Sequence, residues 1–162
     1  MEEGHNKRTI SIPEWHELAL RGEAPPVRIP VHGNSMFPLI RIDRDYVTIQ
    51  PLTDVPEIGD IVLFHDPKRG RYVLHRVWEI RDGYILTWGD NCNRPDEWQT
   101  PDMIWGRVTL IERGKRRIET DRKKGMAFAK FWHPAGKVYR RGRALAAGAW
   151  HRVKRLVCRT GK

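Results

Sequence analysis

The sequence predicts a mainly β, largely antiparallel domain, with a short helix before it and a basic helical tail behind it. Three observations lead there. Between residues 25 and 113 the apolar residues alternate with polar ones or come in short runs, which is strand grammar. Turn residues punctuate those runs at regular intervals and no helical pattern separates them, which excludes a βαβ architecture. The charge is also divided: residues 1–112 hold 13 Lys/Arg against 18 Asp/Glu and residues 113–162 hold 17 against 2, so the formal net charge of +10 belongs to the end of the chain.

The elements follow in order. In the N-terminal segment, residues 1–24, Ser11 is a good N-cap, Pro13 sits in the first turn and Glu14 stands at capping-box spacing, so a helix runs through Trp15, Leu18 and Leu20 and stops near Arg21-Gly22. The β domain spans residues 25–113. "PPVRIPVH" is barred from a helix by Pro25, Pro26 and Pro30. "DYVTIQP" alternates, "GDIVLFH" is a short apolar run opened by a turn, and "RYVLHRVWEI" has strand composition. Arg81-Asp82-Gly83 turns a hairpin into "YILTWG", and "MIWGRVTLIER" is a sixth strand with Gly106 marking a bulge.

Composition shifts at residue 114. In the segment 114–162, "KRRIETDRKKG" reads as a charged linker and "MAFAKFW" as an apolar stretch ending at His133-Pro134. Over residues 135–158, Tyr139, Leu145, Trp150, Val153 and Val157 recur at helical steps beside a dense Lys/Arg face. A basic amphipathic helix of this kind suits an anionic membrane surface. Nucleic acid is not an expected partner, because the body is mildly acidic and carries no base-reading motif.

Several classes are not supported. Cys92 and Cys158 make neither a disulfide framework nor a zinc pattern, and Cys92 reads as a small loop residue. His65 and His75 stand ten positions apart, without metal-ligand spacing, so no metal is expected. The charged start "MEEGHNKRTISIPEW" is no secretory signal, and no window reaches the ~18 apolar residues of a spanning helix. The expectation is a cytoplasmic chain, peripheral at a membrane through its tail.

The chain has two serines. Ser11 is explained by its helix; Ser35, in "HGNSMFP", is either a turn residue or a nucleophile. A nucleophilic serine needs a base. Lys68 lies in the polar turn "HDPKRG", where it stays solvated and charged, whereas a lysine base needs burial. His75 lies within a strand on the same face as Val73 and Val77, as a core histidine or a positioned base; His65 is the reserve candidate. Asp90 and Asp96 follow in "GDNCNRPD", an Asx-rich turn that could also supply the acid that orients a base.

In order, "GNSMFPLI", "GDIVLF", "VLHRV", "WGDNCNRPD" and "IWGRV" resemble the boxes of the type I signal peptidase superfamily, and most of all its Ser-His branch. That branch reads roughly S-G-S-M-x-P, G-D-I-V-x-[FY], h-x-H-R-h, G-D-N-N-x-x-x-D and G-[RK]-V, with h apolar. The resemblance covers about residues 27–113. It implies a coiled antiparallel β domain, with Ser35 as nucleophile, His75 as general base, Asp96 as the orienting acid and Asp90 in a structural or supporting role. The implied activity is that of a serine endopeptidase acting on a leader or signal-type peptide, with a peptide or protein substrate and no cofactor.

Three departures stand beside it. The family usually carries a transmembrane anchor before the serine box, and none is found there. Gly33 stands where a serine commonly helps to stabilise the oxyanion, which would leave that task to backbone N–H groups around Ser35 and the Asn34 side chain. The same Gly-x-Ser-Met spelling is closer to the self-cleaving repressors of the SOS response, which need a lysine this chain lacks in the matching place. Third, the basic tail lies outside the common domain. Such a self-cleaving protein and a non-catalytic peptide-binding β module are the alternative readings.

Overall fold

A computed structural model describes residues 10–136 and 138. Helix α1 (Ile12–Leu20) is followed by β1 (Val27–Pro30), β2 (Asp45–Pro51), β3 (Ile61–Asp66), β4 (Arg71–Arg81), β5 (Tyr84–Trp88), β6 (Trp98–Gln99), β7 (Ile104–Arg113) and β8 (Arg116–Glu119). Helix α2 occupies residues 122–136. The fold is mainly β, with a curled antiparallel sheet, a short N-terminal helix and a C-terminal helix.

The strand order is β1-β2-β7-β3-β4-β5-β6, and β8 also pairs with β7. Every pairing is antiparallel. β7 is the hub, because its partners share it lengthwise: Ile104–Arg107 meet β3, while Leu110–Arg113 meet β8. The irregularity expected near Gly106 is there. Leu63 pairs with Gly106 and Phe64 with Ile104, which leaves Trp105 as the extra residue. At the β4–β5 hairpin, Asp82 and Gly83 both take positive φ (51° and 79°), the twist that a two-residue turn between right-twisted strands requires.

The curl gives two packed clusters. Trp15, Met36, Ile40, Ile49, Leu63 and Ile111 fill the first; Val62, Phe64, Val73, Val77, Ile85 and Ile104 fill the second. α1 forms as the sequence predicts, with the full Ser11–Glu14 capping box. Its Trp15 is wholly buried and donates its indole N–H to the Pro25 carbonyl at 2.7 Å. The ring tip lies against Gly106, where a Cβ would stand 2.7 Å from it.

Residues 114–136 differ from the linker reading. Arg116–Glu119 form β8, held by β7. Asp121 then starts α2, its carboxylate accepting the Lys124 N–H at 2.9 Å. α2 lies on the sheet: Met126, Ala129 and His133 are buried, and His133 packs against Trp78 and Trp88 at ring-centre distances of 4.8 and 4.2 Å. Pro134 does not end this helix, which runs through residue 136. The run of charges hid the elements because a hairpin strand needs few apolar residues when its partner supplies the ladder. The amphipathic reading of residues 135–158 lies outside the described residues, except for 135, 136 and 138. Among the described residues no helix is long and apolar enough to cross a membrane.

A chain ending at Gly114 lacks β8 and α2. Urea unfolding is expected to show it at least about 3 kcal/mol less stable than the full chain, since two or more buried side chains are lost. A chain ending at Val138 should match the full chain. Equal midpoints for all three would show that α2 does not support the domain.

Candidate active site

Ser35 follows β1 through a short turn in which Gly33 takes φ +87°. The turn is fixed from its core side. Met36 and Ile40 are buried, and Ile40 N–H reaches back to the Met36 carbonyl at 3.0 Å. The Arg113 guanidinium forks onto Asp45 at 2.8 and 2.6 Å and also donates to the Leu39 carbonyl at 2.8 Å, which ties the segment after Ser35 to β2 and β7. Phe37 meets Trp132 of α2 edge to face at 6.2 Å. Ser35 itself is half-buried and Asn34 is exposed. Among the described residues, the N–H groups of Ser35 and Met36 donate no hydrogen bond.

His75 sits mid-strand in β4, opposite Val62 of β3, on the face that carries Phe64, Val73 and Val77. Its ring is 5% exposed. Nδ1 lies 2.5 Å from Asp96 Oδ2. Asp96 is in turn held by Thr87, whose hydroxyl donates to the same oxygen at 2.7 Å and whose carbonyl accepts the Asp96 N–H at 2.9 Å. Gln99 donates to that hydroxyl at 2.9 Å. Asp96 therefore keeps the imidazole proton on Nδ1 and leaves Nε2 to accept.

Burial pushes this imidazole toward neutrality. The hydrogen bond to Asp96, the contact with Cys92 and the charge of both outweigh it, so the His75 pKa is raised to about 9.

Asp90 takes a different partner. It is wholly buried and accepts a two-pronged bond from Arg76, Nε to Oδ1 at 3.0 Å and Nη2 to Oδ2 at 2.8 Å. The third prong, Nη1, donates to the Gly59 carbonyl at 3.0 Å. Asp90 thus pins the turn after β5, and Asn91 in that turn grips the serine turn: its N–H donates to the Ser35 carbonyl at 2.7 Å, its side chain to the Asn34 carbonyl at 3.0 Å.

The structure brings Asn34, Ser35, His75 and Asp96 to one cleft of about 1310 Å³, which is larger than the usual small-ligand pocket of roughly 300–1,000 Å³. No hydrogen bond joins the Ser35 hydroxyl to His75 among the described residues. Lys68 lies at the rim, exposed, with its ammonium on Glu97 at 2.5 Å. His65 is turned to the opposite face of the sheet, among Tyr72 and Trp105 at ring distances of 5.1 and 5.8 Å. His32 is exposed.

The residue that sequence reasoning placed as a plain loop residue is Cys92. Its Sγ lies 3.9 Å from His75 Nε2, within reach of a sulfur hydrogen bond. Gly89 makes this approach feasible: a Cβ there would stand 2.7 Å from both the sulfur and Nε2. Among the described residues no group of His, Cys, Asp and Glu has the arrangement to hold a metal ion.

Compared with known proteins, the chain matches no family model and no curated protein.

Replacing Asp90 by alanine leaves the Arg76 guanidinium buried without its anion. The expected loss is about 3–5 kcal/mol of unfolding free energy in urea. A loss below 1 kcal/mol would show that water reaches the guanidinium and that the pair does not hold the turn.

Proposed function

We propose that the chain is a serine endopeptidase of the signal peptidase-like superfamily, with Ser35 as nucleophile, His75 as base and Asp96 as the acid that orients it. The observation that carries this reading is the imidazole, fixed by Asp96 through Nδ1, in the lining of the same cleft as Ser35. The exposed, ion-paired Lys68 is a poor base, which favours the Ser-His assignment over a Ser-Lys dyad.

Ser35 Oγ attacks the peptide carbonyl while Nε2 takes its proton. The unbonded N–H groups of Ser35 and Met36 stabilise the oxyanion, with the Asn34 side chain beside them. His75 then returns the proton to the leaving amine. The serine–imidazole hydrogen bond forms on substrate binding, as it commonly does in catalytic sites whose free state is looser. An extended leader or signal-type peptide with small residues next to the cleaved bond fits a cleft bordered by β1. Among the described residues that strand pairs only with β2, which leaves its other edge for a further strand.

Cleavage of a leader-type peptide library, read by mass spectrometry, tests the assignment. Ser35→Ala and His75→Gln should each abolish cleavage, and the double variant should be little worse, because parts of one catalytic unit are not additive. Asp96→Asn should lose roughly 10⁴-fold. Cleavage by Ser35→Ala at the wild-type rate would sink the mechanism.

The pH profile follows from His75. Only the neutral ring accepts the serine proton, so kcat/KM should climb through an inflection at about 9 rather than at the ordinary histidine value. In Asp96→Asn the residual activity should inflect at lower pH, since burial then acts without the carboxylate that opposes it. An inflection unmoved by Asp96→Asn would assign the titration to another group.

A membrane contact belongs to the same proposal. Phe131 on α2 and Val138 just beyond its described end are 71% and 72% exposed, and they stand at the edge of the basic segment read as amphipathic over residues 135–158. Anionic lipid is the matching surface, each Lys/Arg near it contributing about 1 kcal/mol. The full chain should co-sediment with vesicles containing phosphatidylserine, less so at high salt, and not with phosphatidylcholine alone. The chain ending at Val138 should lose most of that binding, and equal sedimentation of both would refute the contact.

A further inference from the structure

Cys92 shares His75 with the proposed mechanism but has no task in it. Its sulfur is not an isolated thiol at the surface. It is half-buried, lines the cleft with Ser35, and meets the one imidazole nitrogen that Asp96 leaves free. Three features fix it there. The Cys92 N–H donates to the Gly89 carbonyl at 2.9 Å, and its carbonyl accepts the Trp88 indole N–H at 3.2 Å. The buried Asp90 two positions earlier is clamped by Arg76. The missing side chain of Gly89 provides the space.

A thiol in this place can hand its proton to Nε2 and become a thiolate beside an imidazolium that Asp96 steadies. That is the arrangement in which cysteine reacts with electrophiles. We propose that Cys92 is a modification site for hydroperoxides, and that its oxidation by hydrogen peroxide switches the cleft off. The thiolate sulfur attacks one peroxide oxygen, the S–O bond forms and the O–O bond breaks. The departing hydroxide takes the imidazolium proton and leaves as water. Sulfur is oxidised by two electrons to the sulfenic acid and the peroxide is reduced by two. The new S–OH group then occupies Nε2, so the ring is no longer open to the Ser35 proton. This last consequence rests on the peptidase reading; the modification itself does not.

The test uses the full chain, hydrogen peroxide, and dimedone as the trap for sulfenic acid, with adducts located by mass spectrometry and Cys158 as the comparison thiol. Cys92 should be labelled, faster than Cys158, and at least about tenfold slower in His75→Gln, which keeps a polar side chain but takes no proton. Asp96→Asn, which keeps the ring and removes its anion, is the second variant and should slow labelling too. No adduct on Cys92, or unchanged labelling in both variants, overturns the site. These readings need no peptide, so they stand apart from any failure of the peptidase assignment. On a cleaved peptide, peroxide should remove the wild-type activity, while Cys92→Ser, whatever its own rate, should keep that rate. Full wild-type cleavage with Cys92 oxidised, or equal fractional losses in wild type and Cys92→Ser, overturns the switch.

Discussion

A guanidinium that is 2% exposed and a carboxylate that is fully buried are stable only against each other, and the Arg76–Asp90 pair is where the architecture converges. Taking the two charges out of water costs several kcal/mol for each ion, repaid only when the geometry leaves no donor or acceptor idle. Here the fork covers both carboxylate oxygens and the remaining prong takes the Gly59 carbonyl. One side chain therefore joins β4, the turn after β5 and the loop before β3. α2 closes over it with Gly125, where a Cβ would stand 2.5 Å from Nη1. Asp60 repeats the theme nearby, with Arg107 and Arg122 each 2.9 Å from it, joining the same loop to β7 and the first turn of α2.

Strand alternation turns this anchor into a site. Arg76 and His75 are neighbours in sequence and face opposite ways, so the buried pair fixes the strand while the imidazole is offered to the other side. Asp90 and Asp96, six positions apart, divide in the same manner: the first holds the scaffold, the second holds the His75 imidazole. Asn91 then carries the position of the anchored turn across to Ser35 through the serine's own carbonyl. The spacing of Ser35 and His75 is thus set by backbone contacts, not by their side chains touching.

Much of this was legible in the residues because local grammar and final environment agree. "DYVTIQP" alternates and becomes β2 with alternate residues buried, and Asp82-Gly83 supplies the positive φ pair its hairpin needs. β8 was not legible, because "RRIE" has one apolar residue and owes its conformation to β7. α2 was hidden by Gly125 and its charges, since what stabilises it is the fit of Met126, Ala129 and His133 to the sheet. Alternation separated the faces of His65 and His75 in principle, but which face holds an acid depends on how the chain returns after β5. The same return sets Cys92 against the ring, a contact between positions 17 apart that no local pattern encodes.

One nitrogen now has two claimants. In the structure Nε2 meets the Cys92 thiol, and on the proposed mechanism it must meet the Ser35 hydroxyl. An imidazole accepts a single proton, so the two side chains cannot both be served at once. The bonds that raise the His75 pKa sharpen the competition: Asp96 gives the ring its orientation and also holds its proton, and Cys92 adds to that hold. On the proposed mechanism, a peptide that enters the cleft and lowers the polarity around the ring would favour its neutral form, and the same peptide would bring the carbonyl that Ser35 attacks. Substrate binding and base activation are then one event. On the proposed mechanism, an imidazole that faces sulfur in the free state has little means to activate water or to cut what is not bound.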